Sequence, residues 1–282
     1  MHVKLYLIAG LFIAPALLAQ APDPLAIVTQ SLDRDRADFE RARDYTFVER
    51  SEVRRYDGRG RLTKTESDTY DVIILGGRPY KKLIEKNDRP LGAKEARKAE
   101  RDFEKEFRKR RAENENERRS FIEKEERRRR ELRALLDEIP RAYSFRLAGV
   151  EPVDELPAWV IEAEPRPDFK SAVKRADVLP KLRGRIWIAQ QDLTWVRVEA
   201  ETVQTLSFGL FLARLGPGAR LVFEQRRVNG EIWLPSRATT KLAARVALLK
   251  QFNAEVEIAW RDYRKFQTDS RVVSSRELTD EP

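Results

Sequence analysis

The chain has 282 residues, of which 41% are hydrophobic and 37% charged, so it is able to bury a large core, and a wholly disordered protein is excluded. Cysteine is absent and His2 is the single histidine, which excludes disulfides, thiolate chemistry and metal sites built on histidine or cysteine. The formal net charge is +9, and the charged residues are concentrated in one segment, residues 92–138.

Residues 1–21 have the pattern of a secretory signal peptide. Lys4 precedes an apolar run from Leu5 to Leu18, and the small residues Ala19 and Ala21 mark the cleavage boundary. The run is shorter than the roughly 20 residues that a membrane-spanning helix needs, although an uncleaved anchor remains the alternative. We therefore expect an exported protein that is cleaved near Ala19 or Ala21.

The region that follows predicts one helix and three strands. Between Pro24 and Arg43 the apolar residues recur at a weak helical spacing, which predicts an amphipathic helix. Alternating residues and turn signals then predict strands at 45–56, 62–74 and 80–84, with turns at Asp57–Gly60 and Gly76–Gly77. The helix should therefore precede a three-stranded meander.

The segment 92–138 is strongly charged, with 17 Lys or Arg and 14 Asp or Glu, and it has no Gly or Pro after its first residue. Helix is the regular structure that fits such a composition. Asn114 followed by Glu117 has the spacing of an N-cap with a capping box. We therefore predict a charged helical hairpin formed by Ala93–Ala112 and Glu115–Glu138.

Three interpretations of this charged hairpin remain open. It is a solvated excursion held by its own ion pairs, or it contacts a protein partner or an anionic membrane surface, or it binds nucleic acid. In the second interpretation the contact residues are Arg127, Arg128, Arg129 and Arg130. Nucleic acid is disfavoured because the segment has a net charge of only +3 and an exported protein rarely meets nucleic acid.

Two further strands are predicted at 143–150 and 158–164, separated by a loop that carries Pro152 and Pro157. Glu162 and Glu164 lie two residues apart on the second strand, so they share one strand face. This arrangement is typical of a solvated sheet surface rather than of a catalytic carboxylate pair.

The segment 181–205, KLRGRIWIAQQDLTWVRVEAETVQT, predicts two strands joined by a polar turn at Gln190–Asp192, because apolar residues alternate along both arms. A glycine followed by an apolar-Trp-apolar triplet, a polar turn and the pattern W-x-R-V-E resembles the central hairpin of the LolA/LolB-like family of periplasmic lipoprotein carriers. The resemblance extends over about Ala26–Ser270, and the charged hairpin departs from it. It implies an incomplete barrel in the periplasm, whose concave apolar face is covered by helices and accommodates acyl chains.

Residues 206–215, LSFGLFLARL, are nearly continuously apolar and end at a Gly-Pro-Gly turn. Such a run is either buried or functional. One interpretation is a strand or short helix that plugs one end of the barrel. The other is a flexible lip at the cavity mouth, where Phe208, Leu210, Phe211 and Leu212 contact the membrane or the cargo.

The last part of the chain predicts a hairpin at Asn229–Gly230 and two long strands, at 239–249 and 254–266. Their alternation indicates one apolar and one wet sheet face. The candidate residues that line an apolar cavity are Trp187, Val196, Val198, Phe223, Val256, Ile258 and Trp260. Alternation alone leaves open which of its two faces points inward.

The predicted architecture is mainly β (α+β): one strongly curved antiparallel sheet of roughly ten strands that forms an incomplete barrel, with an N-terminal helix and the charged helical hairpin inserted after the third strand. The predicted divisions are a signal peptide at 1–21, a half-barrel domain at 22–270 with its insertion at 92–139, and a flexible tail at 271–282. We expect a non-catalytic periplasmic carrier or sensor of lipid or lipoprotein acyl chains, without metal or cofactor. The alternative is an envelope interaction protein that uses the charged hairpin.

Overall fold

One antiparallel sheet dominates the part of the chain that the computed structural model describes, which is residues 22–41, 45–208, 213–246 and 250–265. Its strands are β1 (Tyr45–Tyr56), β2 (Leu62–Leu75), β3 (Arg78–Lys86), β4 (Arg89–Pro90), β5 (Tyr143–Val153), β6 (Leu156–Pro165), β7 (Leu182–Ala189), β8 (Trp195–Thr202), β9 (Leu206–Phe208), β10 (Ala213–Leu215), β11 (Arg220–Val228), β12 (Ile232–Val246) and β13 (Lys250–Lys265). The helices are α1 (Pro24–Arg41), α2 (Ala93–Ala112), α3 (Glu115–Asp137) and α4 (Ile139–Ala142), with a 3-10 helix at Ala176–Lys181. The predicted signal peptide and tail lie outside the described residues.

Eleven strands follow one another in the order β4-β3-β2-β1-β13-β12-β11-β8-β7-β6-β5, and β9 and β10 join this sheet through β12. Every strand pair recorded for the described residues is antiparallel. The end strands β4 and β5 do not pair with each other within the described chain, so the sheet stays open. The predicted incomplete barrel is therefore confirmed.

Two of the tight hairpins have glycine in the turn. Gly76 and Gly77 both have positive φ, 55° and 74°, between β2 and β3, and Asn229 and Gly230 have φ of 52° and 68° between β11 and β12. Positive φ at both central residues belongs to the turn type that matches the twist of antiparallel strands. These turns therefore return the chain directly along the preceding strand.

Helix α1 lies on one face of the sheet, which we call the inner face; the opposite one is the outer face. The buried side of α1 packs into the main hydrophobic cluster, which includes Ile27, Val28, Leu32, Ile161, Ile186 and Ile188. The indole N–H of Trp195 donates a hydrogen bond to the Ser31 hydroxyl oxygen at 2.6 Å. The largest core therefore lies between α1 and strands β5 to β8.

The outer face is mainly charged, and its side chains pair across neighbouring strands. Examples are Glu162 with Arg146 and with Arg185 (3.0 Å), Arg197 with Glu224 (3.4 Å) and Arg237 with Glu257 (2.6 Å). Exposed pairs of this kind contribute about 0–1 kcal/mol each, so they keep this face solvated more than they stabilise it. A small apolar cluster is the exception, formed by Ala158, Val160, Trp187, Ala189, Val196 and Trp233.

Helices α2 and α3 begin where the sequence predicts, and α3 ends one residue earlier, at Asp137. Asn114 caps α3: its side chain accepts from the Glu117 amide at 3.0 Å, and Glu117 accepts from the Asn114 amide at 2.9 Å. Neither helix contains a buried residue. Helix α2 follows the edge strand β4 and α3 leads through α4 into β5, so together they connect the two ends of the strand order.

Candidate ligand-binding face

An apolar row crosses the inner face perpendicular to the strands. Its members are register partners on seven neighbouring strands: Leu147, Ile161, Ile186, Val198, Phe223, Ala238 and Ile258. With strands about 4.8 Å apart, the row is roughly 29 Å long. Because side chains alternate along a strand, residues two positions away extend this row into a surface.

Helix α1 covers only one half of this surface. Ile161 and Ile186 are buried in the cluster beneath α1, with 0% and 5% exposure. Phe223, Ala238 and Ile258 remain partly exposed. The half formed by β8, β11, β12 and β13 is therefore an apolar sheet face that is not fully covered by the described chain.

Five of the seven predicted lining residues share the inner face. Val198, Phe223 and Ile258 belong to the apolar row, and Val256 and Trp260 lie two residues on either side of Ile258 on β13. The structure thus brings these five together. Their role in ligand binding stays a prediction.

Trp187 and Val196 lie on the outer face, opposite the surface that carries the other five predicted lining residues. Trp187 sits between Ile186 and Ile188, and both isoleucines pack in the cluster beneath α1. The β7–β8 register shifts between Trp187 and Ile188, which leaves Val196 as an extra residue in its strand. Such a bulge breaks the alternation, so Val196 and Val198 point to opposite faces.

A buried carboxylate on β1 borders the apolar surface. Glu49 is 7% exposed and accepts hydrogen bonds from the Lys81 ammonium at 2.5 Å and from the Trp260 indole at 3.2 Å. These two bonds satisfy a charge that is costly to bury alone. Glu49 is absent from the predicted site. The strand alternation of Tyr45, Phe47 and Glu49 nevertheless indicates that its side chain shares a face with two aromatic residues.

The corner between α2 and α3 is fastened to the β2–β3 turn. Arg78 donates to both carboxylate oxygens of Glu113, at 2.5 and 2.6 Å, and its guanidinium lies 4.4 Å from the centre of the Phe121 ring. The hydrogen bond from Arg78 holds the pKa of the Glu113 carboxyl below its usual value. Arg110 donates to the carbonyl oxygens of Leu75 at 2.9 Å and of Arg78 at 3.0 Å. The start of α3 is thus fixed at one end of the sheet.

The four consecutive arginines of α3 point in different directions. Successive residues of a helix are separated by about 100°, so Arg127, Arg128, Arg129 and Arg130 surround the helix rather than share one face. Arg129 is half-buried, and Arg130 lies 3.8 Å from Glu126 one turn earlier. The helix therefore does not gather them into one basic patch.

The predicted lip is described only at its edges. Phe208 ends β9, and its side chain lies outside the description, as do Leu210, Phe211 and Leu212 entirely. The flanking strands β9 and β10 pair with each other, and β10 pairs with the end of β12, Ala213 opposite Val246. The described strands that flank the predicted lip therefore lie beside the end of β12.

A polar groove of about 420 Å³ is present on the strands β6, β7, β8 and β11. It is lined by Glu162, Glu164, Arg183, Gly184, Arg185, Glu199, Ala200, Glu201, Arg220, Leu221 and Val222. Its charged side chains pair with each other, for example Arg183 with Glu201 at 3.6 Å. It contains none of the predicted lining residues.

Within the described chain, no helix is both long and apolar enough to cross a membrane.

No protein-family model and no curated protein matches the chain. Among solved structures, a DUF1329 family protein from Desulfovibrio piger matches at 12% identity, with a TM-score of 0.34, over 89% of this chain and 96% of the other. A putative outer membrane lipoprotein-sorting protein domain from Vibrio parahaemolyticus matches at 11% identity, with a TM-score of 0.32, over 89% of this chain and 97% of the other. A LolA superfamily protein from Nitrosomonas europaea matches at 12% identity, with a TM-score of 0.28, also over 89% of this chain and 97% of the other. The name of the third protein includes the LolA superfamily, which the 181–205 segment resembles.

Proposed function

We propose that this chain is an exported, non-catalytic carrier or sensor that holds acyl chains of lipids or lipoproteins on its inner face. The observation that supports the proposal is the partly exposed apolar surface on β8, β11, β12 and β13. Antiparallel sheets of this kind normally keep one face apolar and buried and the other wet. Here the outer face is the wet one, and the inner face is apolar beyond the part that α1 covers.

The partly exposed side chains of this surface would be stabilised by burial against a ligand. Covering a side chain such as Phe223 or Ile258 with another apolar group contributes about 1.5–3 kcal/mol for each fully buried residue. Several such residues in one row therefore suffice for an acyl chain, even after the cost of immobilising it is subtracted. A flexible acyl chain also suits a surface that is long and open instead of closed around a fixed shape.

We expect the mature protein to bind a fatty acid at micromolar concentration, which corresponds to about 8 kcal/mol. A brominated fatty acid quenches tryptophan on contact, so titration should lower the fluorescence of Trp260, which lies beside Ile258 on the inner face. Trp260→Phe should remove most of the quenching while a separate fluorescent fatty acid still binds. Absence of binding by both probes and by a neutral long-chain alcohol, up to about a hundred times that concentration, would refute the carrier proposal.

The segment 209–212 is proposed as the lip that contacts the membrane or the cargo, together with Phe208. Phe211→Asp should then lower binding to lipid vesicles by at least about tenfold, since a buried apolar side chain contributes about 1.5–3 kcal/mol, and leave Tm nearly unchanged. Vesicle flotation and thermal melting measure the two quantities. A fall in Tm of several degrees would instead identify the segment as core.

The alternative proposal, an envelope interaction protein, has less support. It depends on Arg127–Arg130 as a shared contact surface, and α3 distributes these side chains around its axis. Ion pairs such as Glu126–Arg130 also occupy part of this charge within the helix.

A further inference from the structure

The apolar row of the inner face ends in polar side chains. Ile258 on β13 is the register partner of Ser51 on β1, and Ser51 is the partner of Asp68 on β2. Asp68 therefore lies two strands from Ile258, a distance of about 10 Å at the usual strand spacing. Both Ser51 and Asp68 are partly exposed. A molecule lying along the row meets apolar groups first and a carboxylate at its end.

Asp68 differs from the other carboxylates on this part of the inner face. Glu49 pairs with Lys81 at 2.5 Å, and Glu66 pairs with Arg55 at 2.6 Å. Within the described part of the chain Asp68 accepts a hydrogen bond from the Tyr70 hydroxyl at 3.3 Å and forms no ion pair. Asp68 is thus a partly exposed carboxylate without an ion-pair partner in the described chain.

The lysine opposite Asp68 is directed elsewhere. Lys86 is the register partner of Asp68 on β3, and its ammonium lies 3.6 Å from Glu95 on α2. An ammonium group on a ligand is therefore the complementary partner for the Asp68 carboxylate, because it brings three donors and a positive charge. The Ser51 hydroxyl beside it is able to accept one of these donors.

We propose that the inner face takes an amphiphile whose head group carries an amine, with its chain along Phe223, Ala238 and Ile258 and its ammonium at Asp68. The inference rests on the proposed function, since it names the ligand class of the same surface. It distinguishes this ligand from a fatty acid anion, which would place a second negative charge against Asp68. Like charges in contact are unfavourable, so the anion should bind more weakly than a neutral chain of equal length.

The experiment is displacement of the neutral dye Nile red from the full mature protein by three compounds with the same twelve-carbon chain. These are dodecylamine, which is protonated at pH 7, dodecanol and dodecanoate. We expect dodecylamine to displace the dye at a concentration at least about tenfold lower than dodecanol, because of the charge-assisted hydrogen bond. Asp68→Asn should remove this preference, while dodecanol displaces the dye as it does from the unchanged protein. Asp71→Asn, on the same strand but on the outer face and paired with Arg264 at 2.5 Å, is the matched control and should keep the preference.

The outcomes separate the two proposals. Dye binding with equal displacement by dodecylamine and dodecanol overturns the amine inference and leaves the acyl-chain proposal standing. Displacement of the dye by dodecanoate at a lower concentration than by the other two compounds also overturns the amine inference. It assigns the ligand's head group to the lysines of β3. Lack of any dye binding or displacement by a folded protein refutes both proposals. Circular dichroism of each variant establishes that it is folded.

Discussion

Replacing Gly184 with alanine is expected to destabilise the protein by about 3 kcal/mol or more, the upper part of the range for overpacking. A Cβ atom at this position would lie 2.3 Å from the carbonyl oxygen of Glu199 on the paired strand β8. The obstacle is backbone, so relief requires β7 and β8 to move apart. Those strands carry Ile186 and Ile188 of the main core. Thermal melting should show Tm lower by roughly 6–12 °C, given about 2–4 °C per kcal/mol for a chain of this size.

Gly92→Ala is the matched control for this variant. Gly92 precedes α2 with a φ of −65°, and no atom lies within 4 Å of the position that its Cβ would take. Its Tm should stay within about 2 °C of the unchanged protein, since surface substitutions without contacts usually change stability by less than about 0.5 kcal/mol. An equal Tm for the Gly184 variant would mean that β7 and β8 are not held as closely as the structure has them.

The second large effect is expected on binding. Phe223→Asp places a charge in the middle of the apolar row, where an acyl chain would have to desolvate it. The lost contact alone, about 1.5–3 kcal/mol, corresponds to a decrease in affinity of at least about tenfold. The fluorescent fatty-acid titration measures the dissociation constant directly, and thermal melting measures the accompanying change in stability.

Val222→Asp provides the comparison, because Val222 is the neighbouring residue on β11 and is also half-buried, but it lies on the outer face among charged side chains. Both variants replace an apolar residue of the same strand with the same charge. Only the inner-face variant should lose affinity. If both lose it equally, the ligand is not held by the inner face, and if neither does, the apolar row has no part in binding.

Several features of the fold were predictable because local interactions decide them. The capping pair Asn114 and Glu117 lies within one helical turn, and the segments on either side lack glycine and proline, so the bounds of α2 and α3 follow from the residues themselves. The Asn229–Gly230 turn is likewise local, since both residues tolerate positive φ. In each case the relevant partners lie within about four residues along the chain.

Other features required partners that are distant in sequence. The predicted loop with Pro152 and Pro157 is instead the end of a hairpin, in which these prolines are register partners and only Asp154 and Glu155 form the turn. Proline is disfavoured inside strands because it cannot donate to the ladder, which is the reason for the loop prediction. The pairing continues in spite of this, since Pro152 lies on β5, which has a free outer edge in the described sheet, and Pro157 precedes Ala158, where the β6–β7 pairing begins.

The residues by themselves determined the strand periods, the charged helices, the absence of thiol chemistry and two alternating faces for each strand. Only the tertiary structure decided which face is inner, because α1 covers Ile186 and Ile188 and thereby leaves Trp187 outside. It also decided the register shift that separates Val196 from Val198, and it left Asp68 without an ion-pair partner in the described chain. The physical reason is that a period of two places successive residues on alternate sheet faces but does not determine which face is buried. Burial and charge pairing depend on contacts between strands and helices far apart in the chain.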